Sequence, residues 1–205
     1  VGVRHELNPR SSFVAVANYS TGDTAFSDLE PNFTSGTDFD TYSGEIQYLY
    51  TGNRWRLITG LRYLTGNFDS TTTIRGTLPE PPFEFESTTT DSFDTRNLSA
   101  YGYTTMDLTS TLVLTLGLSY DDLNGQTFDR NQLNPKFGLT WSPTDSTEIR
   151  IGALSTLQRP AVTRREIIPS LEPTTIAGFN QFFFGSEGET DDRYGIGIDQ
   201  QLGDR

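Results

Sequence analysis

Apolar and polar residues alternate along most of this chain with a period of two. Tyr42, Gly44, Ile46, Tyr48 and Tyr50 interleave with Ser43, Glu45, Gln47, Leu49 and Thr51. Trp55, Leu57, Thr59, Leu61 and Tyr63 interleave with Arg56, Ile58, Gly60, Arg62 and Leu64. Successive side chains of a strand point to opposite faces, so each run predicts a strand with one apolar and one polar face and excludes a helical stripe. Gly52-Asn53 between them predicts a two-residue hairpin, because glycine supplies the positive φ of the twist-matched turns. That turn would place Tyr50 opposite Trp55, Tyr48 opposite Leu57, Ile46 opposite Thr59 and Tyr42 opposite Tyr63. Aromatic pairs then bound the apolar face at both ends, roughly 19 Å apart along a membrane normal for a strand tilted near 45°.

The same alternation continues elsewhere. Leu112, Leu114, Leu116, Leu118 and Tyr120 oppose Val113, Thr115, Gly117 and Ser119; Leu133, Phe137, Leu139 and Trp141 oppose Asn134, Lys136, Gly138 and Thr140. Ile149, Ile151 and Ala153 oppose Glu148, Arg150 and Gly152, and Tyr194, Ile196, Ile198 and Leu202 oppose Gly195, Gly197, Asp199 and Gln201. Residues 96–106 are extended, with Tyr101 and Tyr103 read as an outward pair. With Val1 to Leu7 and Phe13 to Ser20, the pattern predicts about nine strands. Short turns at Asn8-Pro9-Arg10-Ser11, Gly52-Asn53, Asp107 to Ser110 and Pro143 to Ser146 alternate with long connections at 21–40, 66–95, 122–131 and 157–191. Unstructured loops beyond about 12–15 residues are uncommon in compact soluble domains. Short turns on one rim and long loops on the other are the anatomy of an outer-membrane barrel. The expected fold is therefore all-β: an antiparallel up-and-down transmembrane β-barrel in a single unit over 1–205, with the four long loops on the extracellular rim. Nine strands are an unnatural count for a closed single-chain barrel, so this one is read as part of a larger barrel, or as completed by another chain. Whether 174–184 adds a strand above the membrane stays open.

Charge follows the same division. The long connections hold 18 acidic and 5 basic residues, net -13, leaving 9 acidic and 10 basic elsewhere, net +1, within the chain's total of -12. Charged strand residues Glu45, Arg56, Arg62, Lys136, Glu148, Arg150 and Asp199 all fall on the polar, lumen-facing side. Tyr42, Tyr50, Trp55, Tyr63, Tyr120, Trp141 and Tyr194 fall on the other, as a lipid-facing aromatic girdle. A hydrophobic content of 34% argues against a large apolar core. The acidic balance and the single lysine exclude a nucleic-acid binder. Zero cysteine excludes disulfides, thiolate metal sites and a cysteine nucleophile. No apolar run approaches the roughly 20 residues of a spanning helix, and the start at Val1 lacks signal-peptide features, so the sequence is read as mature or cut from a longer one.

Asn134-Pro135-Lys136-Phe137-Gly138-Leu139-Thr140-Trp141-Ser142-Pro143-Thr144-Asp145, followed by Glu148-Ile149-Arg150, resembles the strand-turn-strand segment toward the C-terminus of TonB-dependent receptor barrels. Leu171-Glu172-Pro173, in the long connection after Leu157-Gln158-Arg159-Pro160, is similar to the Pro-Glu-containing stretch that precedes later strands in that family. The likeness covers residues 132–202. It implies an outer-membrane protein of a Gram-negative-type bacterium, in a family that imports scarce ligands through a 22-stranded barrel closed by a plug. Neither a plug nor a TonB-interacting box is found in these residues.

The single histidine, His5, lies on an alternating face with Val1, Val3 and Leu7 and reads as structural. A His-based triad or multi-histidine metal site is excluded, and no residue cluster calls for an enzyme. The acidic runs Asp121-Asp122 and Glu187-Gly188-Glu189-Thr190-Asp191 offer oxygen ligands of the kind Ca²⁺ prefers, here or as a bridge to lipopolysaccharide, although neither has EF-hand spacing. Solvated loop charge is the plain alternative. Inward Arg56, Arg62 and Arg150 either line an anion path or pair with Glu45 and Glu148. Phe182-Phe183-Phe184 reads as loop packing. No cofactor is expected beyond such calcium; the expected partners are outer-membrane lipid, lipopolysaccharide and the remainder of the barrel. The pattern supports a receptor- or porin-like barrel contributing to solute or ligand passage. A barrel anchor that transports nothing is the alternative, and a soluble β-sandwich a third.

Overall fold

The chain was described from a computed structural model, which covers residues 1–28, 32–79, 82–125, 129–159, 170–182, 185–186 and 188–203. Eight strands follow one another: β1 (Gly2–Asn8), β2 (Ser11–Asp28), β3 (Phe33–Thr51), β4 (Trp55–Pro79), β5 (Pro82–Asp107), β6 (Leu112–Asn124), β7 (Asp129–Thr144) and β8 (Thr147–Leu157). Two short strands, β9 (Thr175–Ile176) and β10 (Phe179–Asn180), precede β11 (Thr190–Gln200). The order β1-β2-β3-β4-β5-β6-β7-β8-β11 forms one antiparallel nine-stranded sheet, with β1 and β11 at its edges. It is an open part of a barrel, and no helix occurs among the described residues.

The sheet is polar within and apolar without. Glu45, Gln47, Arg62, Asn97, Ser99, Ser119, Asp121, Asn134 and Lys136 are buried on the concave face. Tyr42, Ile46, Leu61, Tyr63, Leu116, Leu118, Tyr120, Leu133, Trp141, Ile151 and Tyr194 are exposed on the convex one. Tyr48, Leu57, Leu114 and Leu139, midway along the apolar faces, are only half-buried, with no second layer over them. A protein folding against water would place these two sets the other way round. Outward rings pair across strands: Phe13 with Tyr48 at 5.2 Å, Tyr19 with Tyr42 at 4.8 Å and Tyr50 with Trp55 at 4.7 Å between centroids.

Four expectations need correction. Most of 21–40, 66–95 and 122–131 is strand: β2 runs to Asp28, β3 begins at Phe33, β4 and β5 pair from Trp55↔Met106 to Pro79↔Pro82, and β6 and β7 meet at Asn124↔Asp129. Hydrophobic alternation fades there because neither face meets an apolar phase, while β-branched Thr71, Thr72, Thr73, Thr88, Thr89 and Thr90 keep the backbone extended. At 25 and 26 residues, β4 and β5 far exceed the roughly 9–11 needed to span a membrane. The β3–β4 register is shifted by two: Tyr50 faces Leu57, Tyr48 faces Thr59 and Tyr42 faces Thr65. The reason is a four-residue turn closed by Gly52 N–H donating to Trp55 O at 2.8 Å, and an even shift leaves every side chain on its expected face.

Tyr101 and Tyr103 point inward, at 5% and 3% exposure. Gly60 opposite Tyr101 and Gly117 opposite Tyr103 leave the space the rings fill, and a side chain at either glycine would overlap them. Finally, the described part of 157–191 does not simply arch over the rim. β9 and β10 form a separate two-stranded ribbon against the concave wall, so the described residues 174–182 add no strand to the main sheet.

Two outcomes follow from this arrangement. Ile46 lies midway between Tyr42 and Tyr50 on the convex face, so Ile46→Arg should lower stability in lipid vesicles by about 2–4 kcal/mol in a denaturant titration. On the projecting β4–β5 ribbon, Arg75 Nε donates to Glu86 at 2.9 Å, and this hydrogen bond, reinforced by charge, holds the Glu86 carboxyl below the usual range. The pair should therefore persist at neutral pH and be lost as pH falls through that lowered value, which the carboxyl-carbon chemical shift of Glu86 would record.

Candidate functional site

Strand register assembles a polar centre on the concave wall. One row runs Glu45, Arg62, Ser99, Asp121, Gln132, and the next runs Gln47, Gly60, Tyr101, Ser119, Asn134. A third brings Tyr103, Gly117, Lys136 and Leu154 together. Tyr101 Oη donates to Glu45 Oε1 at 2.6 Å, and Gln47 Nε2 donates to the Tyr101 oxygen at 3.1 Å. Asp121 accepts from Ser99 Oγ at 2.5 Å and Asn134 Nδ2 at 2.8 Å. Lys136 Nζ donates to Ser119 Oγ at 2.9 Å and to the Asn134 carbonyl at 3.1 Å, and lies 5.8 Å from the Tyr103 ring centre.

Against this wall lies a segment from 170 to 182, anchored by the wall's own polar groups. Leu171 N–H donates to Glu45 Oε2 at 2.9 Å and Gln47 Nε2 to the Leu171 carbonyl at 2.6 Å. Tyr103 donates to Glu172, and its hydroxyl is 3.1 Å from the Gln181 amide oxygen. Arg159, just past β8, joins wall to segment: its Nε is 2.8 Å from Asp121 and its Nη2 is 2.5 Å from Glu172. Three cations (Arg62, Lys136, Arg159) and three carboxylates (Glu45, Asp121, Glu172) thus meet with no net charge. Buried charge persists only where partners replace water.

Toward the turn end of the wall, Gly138, Gly152 and Gly195 stand side by side in register. Their bare surface seats the β9–β10 ribbon: Ile176 and Ala177 lie over Gly138, and Phe179 over Gly152 and Gly195. The ribbon's turn places Ala177 and Gly178 at φ of 48° and 82°, and Gly178 packs against the Arg150 guanidinium, which would have to shift to admit a side chain there. Toward the opposite end, Phe39, Phe68 and Phe93 form a ladder with centroids 6.1 and 5.0 Å apart.

The seven charged residues expected inside do share the concave face, but not one site. Glu45, Arg62 and Lys136 belong to the buried centre. Arg56 is on the same face yet exposed. Arg150 pairs with Glu148 at 3.6 Å and with Asp199 nearer the turns. The calcium grouping does not form among the described residues. Asp121 and Asp122 are consecutive in a strand and face opposite ways, and Asp121 is already held by Arg159. Asp191 pairs with Arg193, Glu189 accepts from Ser186 N–H, and Glu187 lies outside the described residues. Phe182 is exposed, and Phe183 and Phe184 also lie outside them. His5 is exposed on β1, opposite Phe13.

Sequence reasoning did not find Tyr101, Tyr103, Asn97, Arg159, Glu172 or Gln181 as parts of one centre. The available signal was parity, since strand residues two apart from Asn97 through Ser99 to Tyr103 must share the face of Glu45 once the β4–β5 register is known. Replacing Arg159 with Met would leave Asp121 and Glu172 buried without their cation. The expected cost is about 3–5 kcal/mol, with the 170–182 segment becoming protease-sensitive, as limited proteolysis of the folded protein would show.

The family model described as TonB dependent receptor-like, beta-barrel matches residues 1–183. Among solved structures, the siderophore receptor PiuA from Acinetobacter baumannii is similar over 96% of this chain and 36% of its own, at 14% identity and a TM-score of 0.66. The copper transporter OprC is similar over 78% of this chain and 30% of its own, at 14% identity and a TM-score of 0.55. The ferric-catecholate import receptor Fiu from E. coli K12 is similar over 98% and 37%, at 12% identity and a TM-score of 0.50. The chain spans about a third of the length of these structures. No curated protein matches it.

Proposed function

This chain belongs to the TonB-dependent receptor β-barrel family, whose members sit in the outer membrane, and we propose that it contributes part of a barrel wall through which a solute or ligand passes. The observation that carries this reading is the inversion of the sheet: a buried polar, ionised concave face behind an apolar convex one. Such a wall encloses a wet interior while meeting lipid outside. The convex aromatic residues Tyr42, Tyr50, Trp55, Tyr63, Tyr120, Trp141 and Tyr194 then sit at the lipid interfaces. The acidic projecting strands lie among lipopolysaccharide, where divalent cations including Ca²⁺ would bridge them to its phosphates. The remainder of the barrel comes from further strands beside β1 and β11. The role is transport rather than catalysis. The similar structures are by name a siderophore receptor, a copper transporter and a ferric-catecholate import receptor.

One observation favours the alternative of a barrel anchor. Segment 170–182 is pinned to the concave face and occupies interior space that a solute would otherwise use. Planar-bilayer recordings and liposome-swelling assays on the complete natural protein separate the two readings. Solute-dependent swelling or ligand uptake is the expected result; a folded, membrane-inserted protein that passes nothing would favour the anchor. Recovery of native protein in the soluble fraction without detergent would overturn both.

A further inference from the structure

Segment 170–182 crosses the concave wall instead of following one strand. Leu171 bonds to Glu45 and Gln47 of β3, and Glu172 and Gln181 bond to Tyr103 of β5. Ile176 and Ala177 lie over Gly138 of β7, and Phe179 lies over Gly152 of β8 and Gly195 of β11. Arg193 of β11 closes the line, its Nη1 donating to the Asn180 and Phe182 carbonyls at 3.2 and 3.3 Å. From β3 to β11, strand spacings of about 4.8 Å make this a crossing of roughly 29 Å. It lies deep, away from the rim. Glu45 and Gln47 fall between Tyr42 and Tyr50 along β3, and Gly138 falls between Leu133, which faces Tyr120, and Trp141 along β7.

Both faces of the segment suit that position. The ribbon pairs Ile176 with Phe179 and Thr175 with Asn180. Successive strand residues point opposite ways, so with Ile176 and Phe179 on the wall glycines, Thr175 and Asn180 face the interior, and both are exposed. Glycine weakens a strand and marks the close approach of another backbone. Gly138, Gly152 and Gly195, in register beneath the ribbon, therefore shape the wall to hold it. Mobile loops have few buried contacts. This segment buries Glu172, Ile176 and Gln181, and Arg159 ties Glu172 to Asp121 of the wall.

A layer packed on a sheet takes up about 10 Å. In the larger barrels, roughly 16 to 22 strands at about 4.8 Å and a tilt near 40° enclose a cylinder roughly 32–44 Å across between backbones, so one such layer narrows the interior without filling it. We infer that segment 170–182 is a fixed strap that lines the passage at mid-depth, so that a solute on this side meets the uncharged Thr175–Asn180 face and not the ionised Glu45, Glu172 and Arg159 that anchor it. That lining role rests on the passage reading and adds to it the residues a solute touches.

The test uses the complete natural protein in lipid vesicles, any cysteine outside these residues being replaced by serine. Single cysteines are introduced and treated on both sides of the membrane with a charged, membrane-impermeant methanethiosulfonate. Thr175→Cys and Asn180→Cys should react as fast as Thr109→Cys, an exposed position of the β5–β6 turn. Ile176→Cys should react at least about 100-fold more slowly. In vesicle swelling by uncharged sugars, an adduct at 175 or 180 should slow entry by about twofold or more, while an adduct at 109 should leave it unchanged. Should Ile176→Cys fail to fold, hydrogen exchange of the Leu171 and Gln181 amides, which donate to Glu45 and to the Thr174 carbonyl, takes its place. Slow exchange is then expected, and exchange at the rate of an open loop would overturn the strap. Reaction of Ile176→Cys within about tenfold of Thr175→Cys would do the same. Sugar entry unaffected by adducts at both 175 and 180 would overturn the lining alone. A protein that admits no sugar before any modification fails the passage reading itself, and the lining falls with it.

Discussion

Hydrocarbon on the outside is the constraint from which the rest of this structure follows. Lipid cannot hydrogen-bond a strand, so every spanning backbone group must be satisfied by a neighbouring strand and every polar side chain must turn inward. The sheet obeys both conditions: each of its nine strands is hydrogen-bonded to the next in the order β1 through β8 and then β11, and its ionised residues gather on the concave face. That face then inherits a problem, because six charges held against one another away from bulk water need partners. Arg159, Tyr101 and Tyr103 supply them, and in doing so they draw segment 170–182 against the wall.

Glycine and tyrosine divide the work of shaping the interior. Where the wall must carry a hydroxyl into the centre, a glycine opposite makes room, as at Gly60 with Tyr101 and Gly117 with Tyr103. Where the wall must receive another piece of chain, glycines stand in register, as at Gly138, Gly152 and Gly195 beneath Ile176 and Phe179. The alternation of small and large residues inside is thus the interior counterpart of the aromatic and aliphatic surface outside. Local packing and the polarity of the concave face are set by the same residues.

Much of this was legible from the sequence, and the gaps have physical reasons. Which face each residue of β3, β4, β6, β7, β8 and β11 would occupy could be read from period two alone, since a change of register by two residues, as at Gly52 to Trp55, preserves the faces. The projecting strands were illegible because alternation records an apolar phase on one side, and Thr71 to Thr73 and Thr88 to Thr90 meet none. Tyr101 and Tyr103 misled because an aromatic ring signals an interface when its hydroxyl has no visible partner. Their partners Glu45, Glu172 and Gln181 are 56, 69 and 78 residues away in the chain. The charge centre was half legible: Glu45, Arg62 and Lys136 follow from strand parity, whereas Arg159 and Glu172 come from a connection that only the folded chain returns to the wall.

The account stands or falls on what each face of the sheet touches. These residues contain no cysteine, so spin labels can be attached at single introduced cysteines along β3, β4, β6 and β7 of the complete protein in lipid vesicles, any cysteine elsewhere in it being replaced by serine, and their collision rates with oxygen and with a water-soluble nickel complex compared. Labels at positions 48, 57, 114 and 139 should favour oxygen, and those at neighbouring concave positions should not, with a period of two along each strand. Labels at those four positions that are shielded from oxygen, or collide more with nickel than their neighbours do, would contradict a lipid-facing convex surface.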